Sequence, residues 1–217
     1  MDFEQARFNM IEQQIRPWDV LDPDVLQLLS LVRREDFVPV SLRPLAFSDT
    51  ELPLSAERRM LAPKVEAKLL QELQIRPGER VLELGTGAGY LTALLAHQAA
   101  EVISVDSDAA LLEQARSALR RTGLSRVELV RGEPSAGYAA RGPYDAIVLT
   151  GSVPELPEAL LAQLKPQGRL LAIVGQEPVM RAVRVRQTGP GQRVSTELFD
   201  TVAARLPGVG EPSPFAF

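Results

Sequence analysis

The sequence predicts an α/β protein built on a mostly parallel sheet with helices on both faces. Three observations predict it. From Arg80 onward, short β-rich runs alternate with helical segments. A glycine-rich turn joins the first run to the helix after it, and the first quarter of the chain has a separate, helical texture.

In that first quarter, Phe8, Ile11 and Ile15 recur at helical spacing, and Pro17 ends the helix. Asp22-Pro23 reads as an N-cap followed by proline at the first helical position. Behind it Val25, Leu28, Leu29 and Val32 form one apolar face. Periodicity then fades from Pro39 to Pro63, where Pro44, Pro53 and Pro63 punctuate a long loop; in a compact chain such a loop is more often functional than idle. Lys64 to Leu73 is helical again and stops before Pro77-Gly78. Residues 1–77 are expected to form a helical, loop-rich extension packed on a core of residues 78–217.

The β-rich runs are Val81–Leu84, Val102–Val105, Val127–Val130, Ala146–Leu149 and Leu170–Val174. Helical segments lie between them at about Tyr90–Gln98, Ala109–Arg121 and Pro157–Leu164, and alternation at these lengths calls for a parallel sheet. Val183 and Val185, then Val194 and Leu198, fit a closing antiparallel pair turning at Gly189-Pro190-Gly191. The Pro- and Gly-rich tail from Pro207 is expected at the surface.

Composition narrows the function. With 24 Lys plus Arg against 28 Asp plus Glu, the net charge of -4 gives no general attraction for a phosphate backbone, so no nucleic-acid partner is expected. The absence of cysteine excludes a disulfide scaffold, thiol catalysis and the usual zinc clusters; the single histidine, His97, excludes a multi-histidine metal site. The start Met1-Asp2-Phe3-Glu4-Gln5 lacks the basic-then-apolar pattern of a signal peptide, and no apolar run reaches the ~18 residues of a membrane span. A cytoplasmic protein with no membrane partner is expected; its oligomeric state is left open.

The segment Val81-Leu82-Glu83-Leu84-Gly85-Thr86-Gly87-Ala88-Gly89-Tyr90 carries the chemistry. It follows a strand and opens a helix, the setting of a Rossmann-like nucleotide-binding turn. A dinucleotide turn needs glycine at its sixth position to admit a pyrophosphate, but here that position is Tyr90. Glu83 adds negative charge that would repel a dinucleotide and attract an ammonium. S-adenosyl-L-methionine has no phosphate and carries such an ammonium, so it is the expected cofactor and S-adenosyl-L-homocysteine the product. A nicotinamide-dependent oxidoreductase is the disfavoured alternative. Asp106, at the end of the second strand, can accept from both ribose hydroxyls. Glu133, after Gly132 and the third strand, could accept from the adenine amino group. The expected cofactor set is Glu83, Gly85, Thr86, Gly87, Gly89, Tyr90, Asp106, Ser107, Gly132 and Glu133, with no metal. His97 at a helix end, Trp18 and Tyr144 read as structural residues. Arg181, Arg184, Arg186 and Arg193 read as the solvent face of an edge strand.

Longer blocks resemble one family. Met10-Ile11-Glu12-Gln13-Gln14-Ile15-Arg16, Val32-Arg33-Arg34-Glu35-Asp36-Phe37-Val38-Pro39 and Ser48-Asp49 before Leu52-Pro53-Leu54 are similar to the protein-L-isoaspartate O-methyltransferases. So are the glycine turn, Gly132-Glu133, the block from Pro143 to Thr150 and the block from Leu160 to Leu170. The resemblance implies a class I methyltransferase fold, with residues 1–77 on the substrate side. It also implies methyl transfer to the α-carboxylate of L-isoaspartyl residues in damaged proteins or peptides.

One stretch departs from the family pattern. Members carry Thr-Ile-Ser-(Gln or Ala)-Pro-His, whose serine orients the isoaspartyl carboxylate. Here the stretch is Arg59-Met60-Leu61-Ala62-Pro63-Lys64, so Leu61 stands at the serine position and no catalytic side chain is assigned. Three readings follow: Arg58, Arg59 or Lys64 holds the carboxylate by charge, another substrate is methylated, or the cofactor is bound without turnover.

Overall fold

The computed structural model describes residues 2–210 except Ser125 and Pro190, so the middle of the expected hairpin turn at Pro190 lies outside the described residues. Helix α1 (Phe3–Met10) starts at Asp2, whose carboxylate accepts from the N–H groups of Glu4 and Gln5 at 3.0 and 3.1 Å. The chain continues as a π turn over Ile11–Ile15 and a tight turn over Arg16–Trp18. The wider turn shifts the buried stripe. Met10, Ile11 and Ile15 are buried while Phe8, expected on that face, is exposed. Helix α2 (Pro23–Leu31) is capped by Asp22, as its Asp-Pro start predicts.

The proline-punctuated stretch holds a 3-10 turn (Val40–Leu45) and a small antiparallel hairpin, β1 (Leu52–Pro53) with β2 (Arg59–Met60). Helix α3 (Pro63–Leu73) follows. Its C-terminal end is tied to the sheet by Arg169, which donates to the carbonyl of Leu73 and to that of Gln74 at 2.8 Å, and pairs with Glu79 at 2.7 Å.

The large sheet contains β3 (Arg80–Leu84), β4 (Glu101–Asp106), β5 (Val127–Arg131), β6 (Tyr144–Val153), β7 (Leu164–Gln176), β8 (Val179–Gly189) and β9 (Gln192–Asp200). Their order is β5-β4-β3-β6-β7-β8-β9, with β5 through β7 parallel and β8 and β9 antiparallel. Helices α4 (Tyr90–Gln98) and α5 (Ala109–Arg121) have the bounds read from the sequence. Helix α6 covers only Glu158–Leu161, not Pro157 to Leu164, because Leu164 already pairs with Tyr144 in the sheet. The four arginines expected on one edge strand are split: Arg181, Arg184 and Arg186 lie on β8, which pairs with both β7 and β9, and Arg193 lies on the edge strand β9. Arg181 pairs with Glu197, Arg184 with Glu72 and Arg193 with Glu158.

Strand alternation divides the core. Val81, Val102, Val148 and Leu171 face the N-terminal helices, whereas Leu82, Ile103, Ile147 and Leu170 face the opposite side. The first cluster is continuous from Met10 to Ala203, so the helical extension and the sheet share one apolar layer. Because β3 has β4 on one side and β6 on the other, a crevice opens at its C-terminal end. No helix among the described residues is long and apolar enough to cross a membrane.

Candidate active site

The crevice is built on three glycines with positive φ: Gly85 (98°), Gly87 (51°) and Gly89 (84°). At Gly85 a Cβ would also run into the Thr150 hydroxyl, which donates to the carbonyls of Leu84 (3.1 Å) and Gly85. A Gly85→Ala substitution therefore meets backbone strain and collision together. It is expected to cost about 2–4 kcal/mol of stability and to abolish cofactor binding, as urea unfolding and calorimetry would show.

Alternation along β3 puts Glu83 on the same face as Val81, beneath α4. It is fully buried. One oxygen, Oε2, accepts from Ser104 Oγ at 2.6 Å and from Thr92 Oγ1. The Thr86 hydroxyl is 2.6 Å from Ser104 Oγ; because Ser104 donates to Glu83, Thr86 donates to Ser104. The other oxygen, Oε1, has no protein partner and belongs to a side chain lining the crevice. Burial pushes the Glu83 carboxyl up to about 7, the two hydroxyls limit that rise, and the negative charge of Asp106 adds to it.

Asp106 ends β4 with both carboxylate oxygens engaged. Oδ2 accepts from Gly87 N at 2.9 Å and Arg58 at 2.6 Å; Oδ1 accepts from Asp108 N at 3.0 Å and Arg58 at 2.8 Å. Burial disfavours the charge, but the hydrogen bonds from Arg58, Asp108 and Gly87 outweigh it and hold the carboxyl below its ordinary range.

Glu83, Gly85, Thr86, Gly87, Gly89 and Tyr90 line one cleft, and Arg58, Arg59 and Leu61 line it from the hairpin side. Tyr90 is more structural than its motif position suggests: its ring lies edge-on to Phe37 at 5.6 Å and 5.0 Å from the Arg34 guanidinium. Arg34 is completely buried and pairs with Glu66; it also donates to the carbonyls of Ala46 (2.9 Å) and Leu61 (2.7 Å). Burial pushes its guanidinium down to about 10. Leu61 is 4% exposed and belongs to the apolar core as well as to the cleft wall.

Several sequence expectations are redistributed. Lys64 is not a lining residue of this cleft: it pairs with Asp49 at 2.7 Å and sits 4.1 Å above the Trp18 ring. Asp106, Ser107 and Gly132 are not lining residues either; Asp106 is fully buried, with Arg58 bonded to both of its oxygens. Glu133 is exposed and lies beside Gly208 rather than in the cleft lining. Two lining elements escaped the sequence reading. Glu51 accepts from Ala204 N at 3.2 Å; burial raises its carboxyl, while the Ala204 N–H and the Arg59 charge oppose the rise. The segment Ala204–Pro207 forms a wall, fixed by the Ser152 N–H to the Ala204 carbonyl and the Leu206 N–H to the Ser152 carbonyl, both 2.9 Å. Glu51 sits in an aperiodic loop and Leu206 in a proline-flanked tail, where spacing carries no signal.

A mostly parallel sheet closed by an antiparallel pair, with a glycine turn and a strand-end carboxylate at its switch point, defines the class I methyltransferase fold. The family model for protein-L-isoaspartate(D-aspartate) O-methyltransferase (PCMT) matches residues 5–203, and the chain belongs to that family. A protein-L-isoaspartate O-methyltransferase of Methanoculleus marisnigri is 40% identical over 181 residues, covering 83% of this chain and 82% of that one. A relative of the same name from Methylorubrum extorquens is 37% identical over 215 residues, covering 98% and 93%. Among solved structures, a candidate protein-L-isoaspartate O-methyltransferase from Plasmodium falciparum, in complex with S-adenosyl-L-homocysteine, aligns with a TM-score of 0.77. That alignment has 20% identity and covers 95% of this chain and 98% of the other.

Proposed function

We propose that the protein binds S-adenosyl-L-methionine at the glycine turn and transfers its methyl group to the α-carboxylate of L-isoaspartyl residues in proteins or peptides. The observation that carries the reading is the pairing of Glu83 Oε1, a buried carboxylate oxygen without a protein partner, with the strand-end carboxylate Asp106 across three positive-φ glycines. Glu83 suits the ammonium of the methionine end, and Asp106 suits the ribose hydroxyls. Bound there, the cofactor supplies an electrophilic methyl on a sulfonium.

The acceptor carboxylate is ionised at neutral pH and needs no general base. Its oxygen forms the new bond as the methyl–sulfur bond breaks, leaving a neutral ester and a thioether with no proton to place. The chain's task is alignment and exclusion of water, and such positioning can lower a barrier by on the order of 7–11 kcal/mol. Arg58 and Arg59 on the hairpin supply positive charge to the cleft, where Leu61 offers no hydroxyl.

Fragmentation mass spectrometry of an isoaspartyl peptide after incubation with S-adenosyl-L-methionine tests the reading. One methyl on the isoaspartyl α-carboxylate is expected; methylation at any other position counts against it. The Leu61→Ser variant is expected to raise kcat/KM for this peptide about tenfold, a hydrogen bond to a charged group being worth roughly 1.5–3 kcal/mol. Because Leu61 is a core residue, its stability is expected to fall by about 2–4 kcal/mol. No gain in kcat/KM at equal folded fraction would show that position 61 does not face the acceptor carboxylate.

A further inference from the structure

The four hydrogen bonds on Asp106 have a consequence for binding order. A carboxylate offers about four acceptor sites, and here they are shared by Gly87 N, Asp108 N and the two arms of Arg58. Gly87 and Asp108 are fixed by the turn and by α5. Arg58 is not: it sits on a hairpin only two residue pairs long, its N-terminal neighbours Ser55 to Glu57 are exposed, and the turn is closed by the N–H groups of Leu54 and Ser55 on the Arg58 carbonyl. So short a hairpin is marginal alone and opens at low cost. Its fixed points are Leu52 and Met60, both buried, and between them Leu54 reaches over to Gly87. Arg58 therefore lies across the floor on which a ribose diol would sit.

We propose that Arg58 works in two positions: it holds Asp106 until ribose hydroxyls take that carboxylate, and it then ligates the substrate carboxylate in place of the hydroxyl that Leu61 lacks. The second position rests on the isoaspartyl reading above; the first does not. The hairpin places both residues on the same cleft wall, Arg58 three positions before Leu61. The guanidinium fork that fits the two oxygens of Asp106 fits a second carboxylate equally well. Leaving Asp106 without moving elsewhere would strand a charge in a partly closed cleft, because the Arg58 side chain is only 13% exposed where it stands. Cofactor binding thus frees the residue that receives the substrate, and binding becomes ordered.

Competition for Asp106 lowers the apparent cofactor affinity by the fraction of time it is free. Removing Arg58 should then have effects of opposite sign on the two ligands. The test is calorimetric titration of the full chain and its Arg58→Ala variant with S-adenosyl-L-homocysteine, followed by KM for an isoaspartyl peptide at saturating S-adenosyl-L-methionine. The variant is expected to bind S-adenosyl-L-homocysteine about tenfold tighter and to show a peptide KM about tenfold higher. Arg58→Lys, with a point charge in place of the fork, is expected to fall between on both axes. Unchanged or weaker S-adenosyl-L-homocysteine binding by Arg58→Ala overturns the first position, and an unchanged peptide KM overturns the second. Failure of both proteins to bind S-adenosyl-L-homocysteine would overturn the cofactor reading itself. Binding without turnover in either protein would overturn the isoaspartyl reading and the second position, leaving the first decided by the titration.

Discussion

Replacing Arg34 by methionine is expected to lower the unfolding free energy by about 3–5 kcal/mol, a large share of what a domain of this size has to spare. The guanidinium is completely buried between α3 and the 3-10 turn at Val40–Leu45. It satisfies Glu66 and the carbonyls of Ala46 and Leu61, three groups on three segments of the chain. Methionine fills much of the volume but leaves the Glu66 carboxylate buried and uncompensated. The destabilisation comes from that orphaned charge, so the pair Arg34→Met with Glu66→Leu is expected to recover most of it. Urea unfolding of both variants checks this. A loss below about 1 kcal/mol in the single variant would mean that Glu66 finds water or a proton, and that the ion pair is not what fixes the Leu61 wall.

Glu83→Gln is expected to weaken S-adenosyl-L-homocysteine binding by about 30- to 100-fold, the effect of removing a buried charge from an ammonium. The effect on the protein alone has the opposite sign. The folded-state carboxyl titrates near 7 against an ordinary value of 4.5, so the folded state holds the proton more tightly than the unfolded chain does. Its contribution to stability is full below about pH 4.5 and is lost as pH rises through about 7. Cofactor affinity runs the other way, rising with pH through about 7 as Glu83 ionises and levelling above it. Glutamine carries no proton to lose, so the share of each slope that Glu83 contributes is expected to vanish in the variant, with stability at pH 8 held or improved. Calorimetry and urea unfolding between pH 5.5 and 8.5 read both quantities. A wild-type affinity independent of pH across that window would exclude Glu83 as the ammonium's partner.

The fold was legible because its parts are local and periodic. Strand runs alternating with helices at β3 to β7, the Asp22-Pro23 cap and the glycine turn each declare themselves within a few residues. The places of Glu83 on β3 and of Asp106 at the end of β4 were readable for the same reason, as fixed offsets from those glycines. What could not be read is long-range pairing of charges. Arg58 meets Asp106 across 48 positions and Arg34 meets Glu66 across 32, and the arginines carry no pattern that names a partner. Lys64, one of the three basic candidates for the substrate carboxylate, lies between Asp49 and Trp18, a pairing that spacing does not announce. Glu133 keeps its motif offset after β5, and the approach of Gly208 to its carboxylate is a further long-range contact that no spacing rule covers.

A chain with leucine at the family's serine position is expected to transfer methyl to an isoaspartyl carboxylate. The most direct measurement is label transfer from methyl-labelled S-adenosyl-L-methionine to an isoaspartyl peptide, with its normal aspartyl twin as control. Label on the isoaspartyl peptide and none on its twin is the expected result. Equal label on both peptides, or none on either while S-adenosyl-L-homocysteine binds, would contradict it.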